Sequence, residues 1–400
     1  MRYILILFFF SMFQLAFSQV ESKSSAPKKD SVEEKESISN DKDLDDNKNV
    51  LDSEIVTKKK AERSRSYKAM EAEPMSVGAA AKEQTIQTES TNFSYYKSQS
   101  QSQTQQRSPT EFQQSQMNNA VSYFETNAPE SFEYHYYKYL SGNYNTDLYA
   151  HLQAAEKLKP NNADVQVQMT AYHMIYNSKS EALKYLDKLV ENKRLLQSVI
   201  VYGEDVLRSV PTNGILITHG FDDTYGVWYA QMKNGVREDV TIISLDLLQS
   251  SKYVEMLKAK GLLFPNTDII DVAFLNQFCN MNVAKNLNIA LTTPKEYFKP
   301  ILSNVYLSGL VFEYKTSTYD NFWRNEKLWN DELKKKLVDN SIDEKGRGLS
   351  SNYLPMLFQM RKVYHQMGKT EKVKEMDAAI DKIGAQTNKY QQVQNMKSAY

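Results

Sequence analysis

The spacing of apolar positions changes its period along the chain, and one stretch, residues 213–248, shows two periods in succession. Residues 215–218 form a short, continuous, largely β-branched apolar run with the length of a buried strand. A polar, turn-forming cluster follows: His219, Gly220, Phe221, Asp222, Asp223 and Thr224. Residues 227–232 then repeat at helical spacing, Asn234 and Gly235 close them, and residues 240–245 supply a second strand-like run. Strand, polar loop, helix and strand in that order predict a βαβ unit. Polar residues just past the carboxyl end of a parallel strand sit where open α/β sheets bind ligands, so the 220–224 loop is the expected site.

Upstream, the pattern is helical throughout. Residues 118–125 and 129–140 carry apolar groups at helical spacing, and Leu148, Leu152, Ala155 and Leu158 share one face. Further helices are predicted over 165–176, 179–189 and 193–206. Gly142-Asn143-Tyr144, the pair Ala154-Ala155 and Leu158-Lys159-Pro160-Asn161-Asn162 resemble the second helix and turn of a degenerate tetratricopeptide repeat over 131–192. Such a resemblance implies antiparallel helix pairs, either presenting a protein-binding surface or serving as a shoulder for the next domain.

Downstream, 250–260 and 268–280 read as helices, 288–292 as a third strand, 302–307 as helix or loop, and 310–314 as a strand. The predicted fold class is α/β: a small, mostly parallel sheet of four strands with helices, flanked by tetratricopeptide-like repeats. Residues 319–336 form an amphipathic helical region. Two helices over 353–367 and 370–383, joined at Gly368-Lys369, resemble one more tetratricopeptide unit, and the Gln- and Asn-rich end is expected to fray.

The first 18 residues have the form of a secretory signal: Arg2, an apolar segment and Ala16-Phe17-Ser18 before Gln19. This predicts export to the periplasm or envelope, with no membrane span in the mature chain. Residues 19–116 combine acidic and basic blocks with a Gln- and Ser-rich stretch and read as a disordered spacer, in which Phe93, Tyr95 and Tyr96 are the groups a partner would hold. The reading divides the chain into a signal peptide at 1–18, a polar tail at 19–116, a helical domain at 117–210, the α/β domain at 211–318, C-terminal helices at 319–384 and a frayed tail at 385–400.

Composition narrows the function. Forty-nine Lys and Arg balance 49 Asp and Glu, which argues against general binding of nucleic acid. The single cysteine, Cys279, excludes an intramolecular disulfide and a multi-cysteine metal site. No phosphate-binding, dinucleotide, nucleophile-elbow or His-Glu-x-x-His pattern occurs. His219, Asp222 and Asp223 are the compact titratable group, but adjacent carboxylates tend to point apart and a metal needs more convergent ligands. Three roles stand for this loop: capping of the following helix by Asp222, ligand binding, and catalysis. Tyr225, Trp228 and Tyr229 are expected as core or interface aromatics, and Arg237 with Asp239 as a structural pair.

Gly220, Asp222, Asp223, Thr224, Trp228, Tyr229, Gln231, Gly235, Val236, Arg237, Asp239, Val240 and Leu245 also fit a family pattern, as do 288–292 and Gly309 with its neighbours. Over about 211–314 the chain resembles the soluble C-terminal region of DUF2723-type, protein O-mannosyltransferase-like membrane proteins of Bacteroidetes. The multi-span membrane domain that would carry glycosyl transfer has no counterpart here, so no transferase activity is carried over. The expected function is a non-enzymatic, cofactor-free scaffold or interaction module for an envelope protein. The alternative is a glycan- or small-ligand-binding protein, or a degenerate enzyme, that uses the 220–224 loop.

Overall fold

The computed structural model describes residues 77–340 and 342–398. The predicted signal peptide and the part of the polar tail up to residue 76 lie outside the described residues. Helix α1 (Val77–Ser102) begins in one compact unit, and a second holds the chain from Thr88 onward.

From residue 88 the tail is ordered, which corrects the expectation of a disordered spacer to 116. Composition misleads here because few apolar groups are present, but they are placed where they can pack. Phe93 is buried and stacks on Tyr137 at 4.1 Å. Tyr96 meets Phe112 edge-on at 5.7 Å. Helix α2 (Glu111–Asn127) is started by a capping box in which Thr110 and Gln113 satisfy each other's backbone N–H groups. It buries Met117, Ala120, Val121 and Phe124.

Two helical hairpins follow, α3 (Phe132–Ser141) with α4 (Tyr149–Leu158) and α5 (Ala163–Ile175) with α6 (Lys179–Glu191). Asn162 starts α5 by accepting from the N–H groups of Asp164 and Val165. Tyr139, Leu152, Ala155, Val165 and Met169 form a small core of their own between these hairpins. Helix α7 (Gln197–Ser209) is buried on nearly every side and carries the chain into the sheet. Its Gly203 lies so close to Gly226 of α8 (Gly220–Met232) that a Cβ at 203 would sit 2.9 Å from the Gly226 carbonyl carbon.

The sheet has five strands in the order β2-β1-β3-β5-β4: β1 (Ile215–Thr218), β2 (Thr241–Ser244), β3 (Leu287–Ala290), β4 (Val305–Ser308) and β5 (Val311–Tyr314). β1 pairs in parallel with β2 and β3, as a βαβ unit requires. β5 pairs antiparallel with both β3 and β4. The sheet is therefore mixed, not mostly parallel, and has one strand more than the pattern predicts. The difference is a hairpin: 302–307, read as helix or loop, runs into β4, which turns through Gly309 and Leu310 straight into β5. Gly309 holds φ +60°, which suits a tight two-residue hairpin loop.

Helices α9 (Ser251–Ala259) and α10 (Val272–Met281) connect β2 to β3, with a short α11 (Lys295–Phe298) after β3. The C-terminal region adds α12 (Phe322–Lys327), α13 (Lys336–Asp339), α14 (Glu344–Ser350), α15 (Leu354–Gln366), α16 (Thr370–Gln386) and α17 (Tyr390–Ser398). The expected frayed tail is helical as far as Ser398, because Val393 is buried against Gly384. One apolar core runs continuously from Ala171 through the sheet to Val393.

Candidate functional site

β1 and β2 are parallel neighbours, so their carboxyl ends open on the same edge of the sheet. Gly220 follows β1 and Asp246 follows β2. Gly220 needs φ +70° to turn the chain into α8. Its N–H donates to Asp246 Oδ2 at 2.7 Å. Asp246 thus serves the amino end of α8, where a carboxylate is favoured by the exposed N–H groups and the helix dipole. That is the role expected of Asp222, and the structure gives it to a residue 26 positions from Gly220. Asp222 instead makes an ion pair with Lys345 of α14.

The other oxygen of Asp246 receives Arg107 Nε at 3.0 Å, and the two side chains are 18% and 3% exposed. Arg107 also lies 2.6 Å from His219 Nε2 and donates to the carbonyls of Gln103 and Gln101. A guanidinium has only donors, so His219 Nε2 accepts and the neutral ring carries its proton on Nδ1. Burial, reinforced by the Arg107 charge, pushes the His219 pKa down to about 4. Burial also opposes ionisation of Asp246, but Arg107 and the Gly220 N–H outweigh it and hold the carboxyl below its ordinary value. The three side chains form a closed, neutralised set, with no base left at its working pKa.

Beside this set lies a cavity of about 440 Å³, bounded by α1, the first hairpins and the strand ends. Phe93, Tyr137, Tyr144, Phe221 and Trp228 contribute its aromatic walls. Arg194 covers the Phe221 ring at 4.2 Å, and Phe221 stacks on Tyr225 at 4.6 Å. Lys97 donates to Leu140 O at 2.8 Å and Asn143 Oδ1 at 2.9 Å, and burial lowers its pKa to about 8. The buried indole N–H of Trp228 has no hydrogen-bond partner.

The loop 219–224 is therefore divided. His219, Gly220 and Phe221 line the cavity, whereas Asp222, Asp223 and Thr224 do not. Asp223 is buried and accepts a short hydrogen bond from Thr292 after β3, while Thr224 shares a hydroxyl contact of 2.9 Å with Thr218. Tyr225 and Trp228 are core residues that reach the cavity wall. Tyr229 faces Asp187 of α6 at 3.1 Å. Arg237 and Asp239 form a two-pronged pair at 2.8 Å in each prong, and Arg237 also reaches the Val210 and Pro211 carbonyls. Arg107 and Asp246, the centre of the arrangement, carry no local sequence signal. Among the described residues no group of three His, Cys, Asp or Glu is placed to hold a metal, and no helix is long and apolar enough to cross a membrane.

Residues 200–395 match TMEM260-associated domain 2. This corrects the resemblance to DUF2723-type proteins, because the family model that fits the chain is a different one and extends well past residue 314. The TMEM260-associated domain 2 match takes in most of α7, the whole sheet and the C-terminal helices through Val393, and so most of the main core, which begins earlier at Ala171. His219, Asp246, Ile270 and Asp271 fall inside it, while Arg107 and α1 fall outside. No curated protein and no solved structure matches the chain.

Proposed function

We propose that this chain is a non-enzymatic, exported interaction module of the cell envelope, whose recognition surface is the cavity at the ends of β1 and β2. The observation that carries the reading is the pairing of that cavity with a neutralised polar set. An aromatic-walled space of about 440 Å³ has the size of a recognition pocket. Arg107, Asp246 and His219 at its edge are engaged with one another, as structural anchors are, and Lys97, whose pKa burial lowers to about 8, is held by Leu140 O and Asn143 Oδ1.

A photo-crosslinking amino acid at Phe221, compared with one at the exposed Ile342, tests this in envelope preparations. A discrete protein adduct from position 221, absent from 342, is the expected outcome. Equal labelling at both positions, or none at 221, would overturn the reading. The aromatic walls and the unpartnered Trp228 indole favour a second reading, a small polar ligand. In that case Trp228 emission should respond to a small molecule while position 221 yields no protein adduct.

A further inference from the structure

The stretch between α1 and α2 is held on the α/β domain as an extended peptide is held by a receptor. The Arg107 N–H donates to Ile270 O at 2.7 Å, and the Val272 N–H donates to Gln105 O at 3.1 Å. Between these two bonds Gln106 and Asp271 form an antiparallel β-bridge. The Ser108 hydroxyl accepts from the Ile270 N–H at 3.3 Å. From this short ladder the Arg107 side chain drops into the socket made by Asp246 and His219 and becomes almost fully buried. Backbone pairing supplies register and a buried side chain supplies choice, which is the logic of strand-addition recognition. The buried guanidinium–carboxylate contact makes arginine the selected residue, because only its fork satisfies Asp246, His219 and the neighbouring carbonyls together.

Every socket residue, 219, 246 and 270–272, lies in the stretch that matches TMEM260-associated domain 2, and the peptide lies outside it. Arg107 of this segment also lines the cavity, beside Ser100 and Gln101 at the end of α1. We propose that the Ile270–Asp271 edge with the Asp246–His219 socket is a recognition site for an extended, arginine-bearing segment. Residues 103–108 occupy it in cis as an exchangeable strap. The proposal rests on the interaction-module reading and names the chemistry of the segment that such a partner presents. A site filled in cis binds a competitor only in the fraction of molecules whose strap is released, so emptying it by mutation strengthens binding in trans.

The experiment uses the full chain and a labelled peptide of residues 101–110, QSQTQQRSPT. Arg107→Ala is expected to bind the peptide at least about tenfold more tightly than the unmodified chain. A peptide with lysine in place of its arginine should bind neither. No binding to a folded Arg107→Ala chain, or equal binding of the arginine and lysine peptides, would overturn the proposal. Should that variant not fold, the unmodified chain decides. Hydrogen exchange of the Arg107 N–H, which is held by Ile270 O, should be slow alone and accelerate at millimolar peptide, and an unchanged rate would sink the exchangeable strap. Failure here together with a protein adduct at position 221 would leave the interaction-module reading standing, whereas loss of both would remove it.

Discussion

Asp222 and Asp223 are adjacent in sequence yet live in different electrostatic surroundings. Asp222 is partly exposed and meets Lys345, whereas Asp223 is 8% exposed and receives only the Thr292 hydroxyl. Burial leads in pushing the Asp223 pKa up to about 7; Asp222 adds to the rise and the Thr292 bond opposes it. The unfolded value is near 3.8, so the fold favours the protonated form. Its stabilising contribution is complete below the unfolded value and is lost as pH rises through about 7. Asp223→Asn is neutral at every pH and should therefore gain stability relative to the unmodified chain between pH 4 and pH 8, by at most about 4 kcal/mol. Urea unfolding at both pH values measures this, and an equal difference at the two would refute it. The loop was legible as a special place because six turn-forming and polar residues follow an apolar run. The residues that organise it were not. Arg107 and Asp246 are 139 positions apart, and neither has a neighbour in sequence that hints at the other.

Elements whose pattern is local were readable, and those stabilised from a distance were not. The βαβ unit shows its change of period within 36 residues of sequence, 213–248, so strand, helix and strand were visible. α1 was missed because its Gln- and Ser-rich surface hides single anchoring groups such as Phe93, whose partner Tyr137 lies in α3. β4 was missed because it is short and half-polar, and pairs only with β5 at the sheet edge. The turn that joins them gives a sharp test. Gly309 holds φ +60°, its N–H donates to Asn325 Oδ1 at 2.7 Å, and a Cβ there would come within 2.9 Å of Ser209 Cβ. Gly309→Ala combines left-handed strain with overlap against a buried helix and should destabilise by about 3 kcal/mol. Chemical denaturation reads the loss, and a change below about 0.5 kcal/mol would show that the hairpin relaxes freely.

At the scale of the whole molecule, the division of the sequence at 318 and 384 meets a core that does not divide there. Asp205, buried in α7, accepts from the Lys334 N–H at 2.7 Å, the Lys335 N–H at 2.9 Å and the Tyr353 hydroxyl at 2.6 Å. Burial raises its pKa while those three donors pull it back, so the carboxyl depends on the C-terminal region for its hydrogen bonds. Met356, Leu357 and Met360 of α15 are fully buried in the same apolar core as β1 and β3. Sequence periodicity could outline each helix but not which core it joins, since a stripe of apolar residues fits any complementary face. If the core is one, a chain ending at residue 340 should lose cooperative unfolding altogether, because it exposes that face and takes the Tyr353 hydroxyl from Asp205. Tyr353→Phe is the graded version: it removes one hydrogen bond to a buried carboxylate and should lower stability by about 1.5–3 kcal/mol while leaving a single transition. Calorimetry of both decides the matter. A truncated chain that still melts cooperatively near the full-length Tm would mean that the sheet stands without the C-terminal helices. The depth of the Tyr353→Phe loss then measures how firmly α7, which leads directly into the strand-end socket, is held from behind.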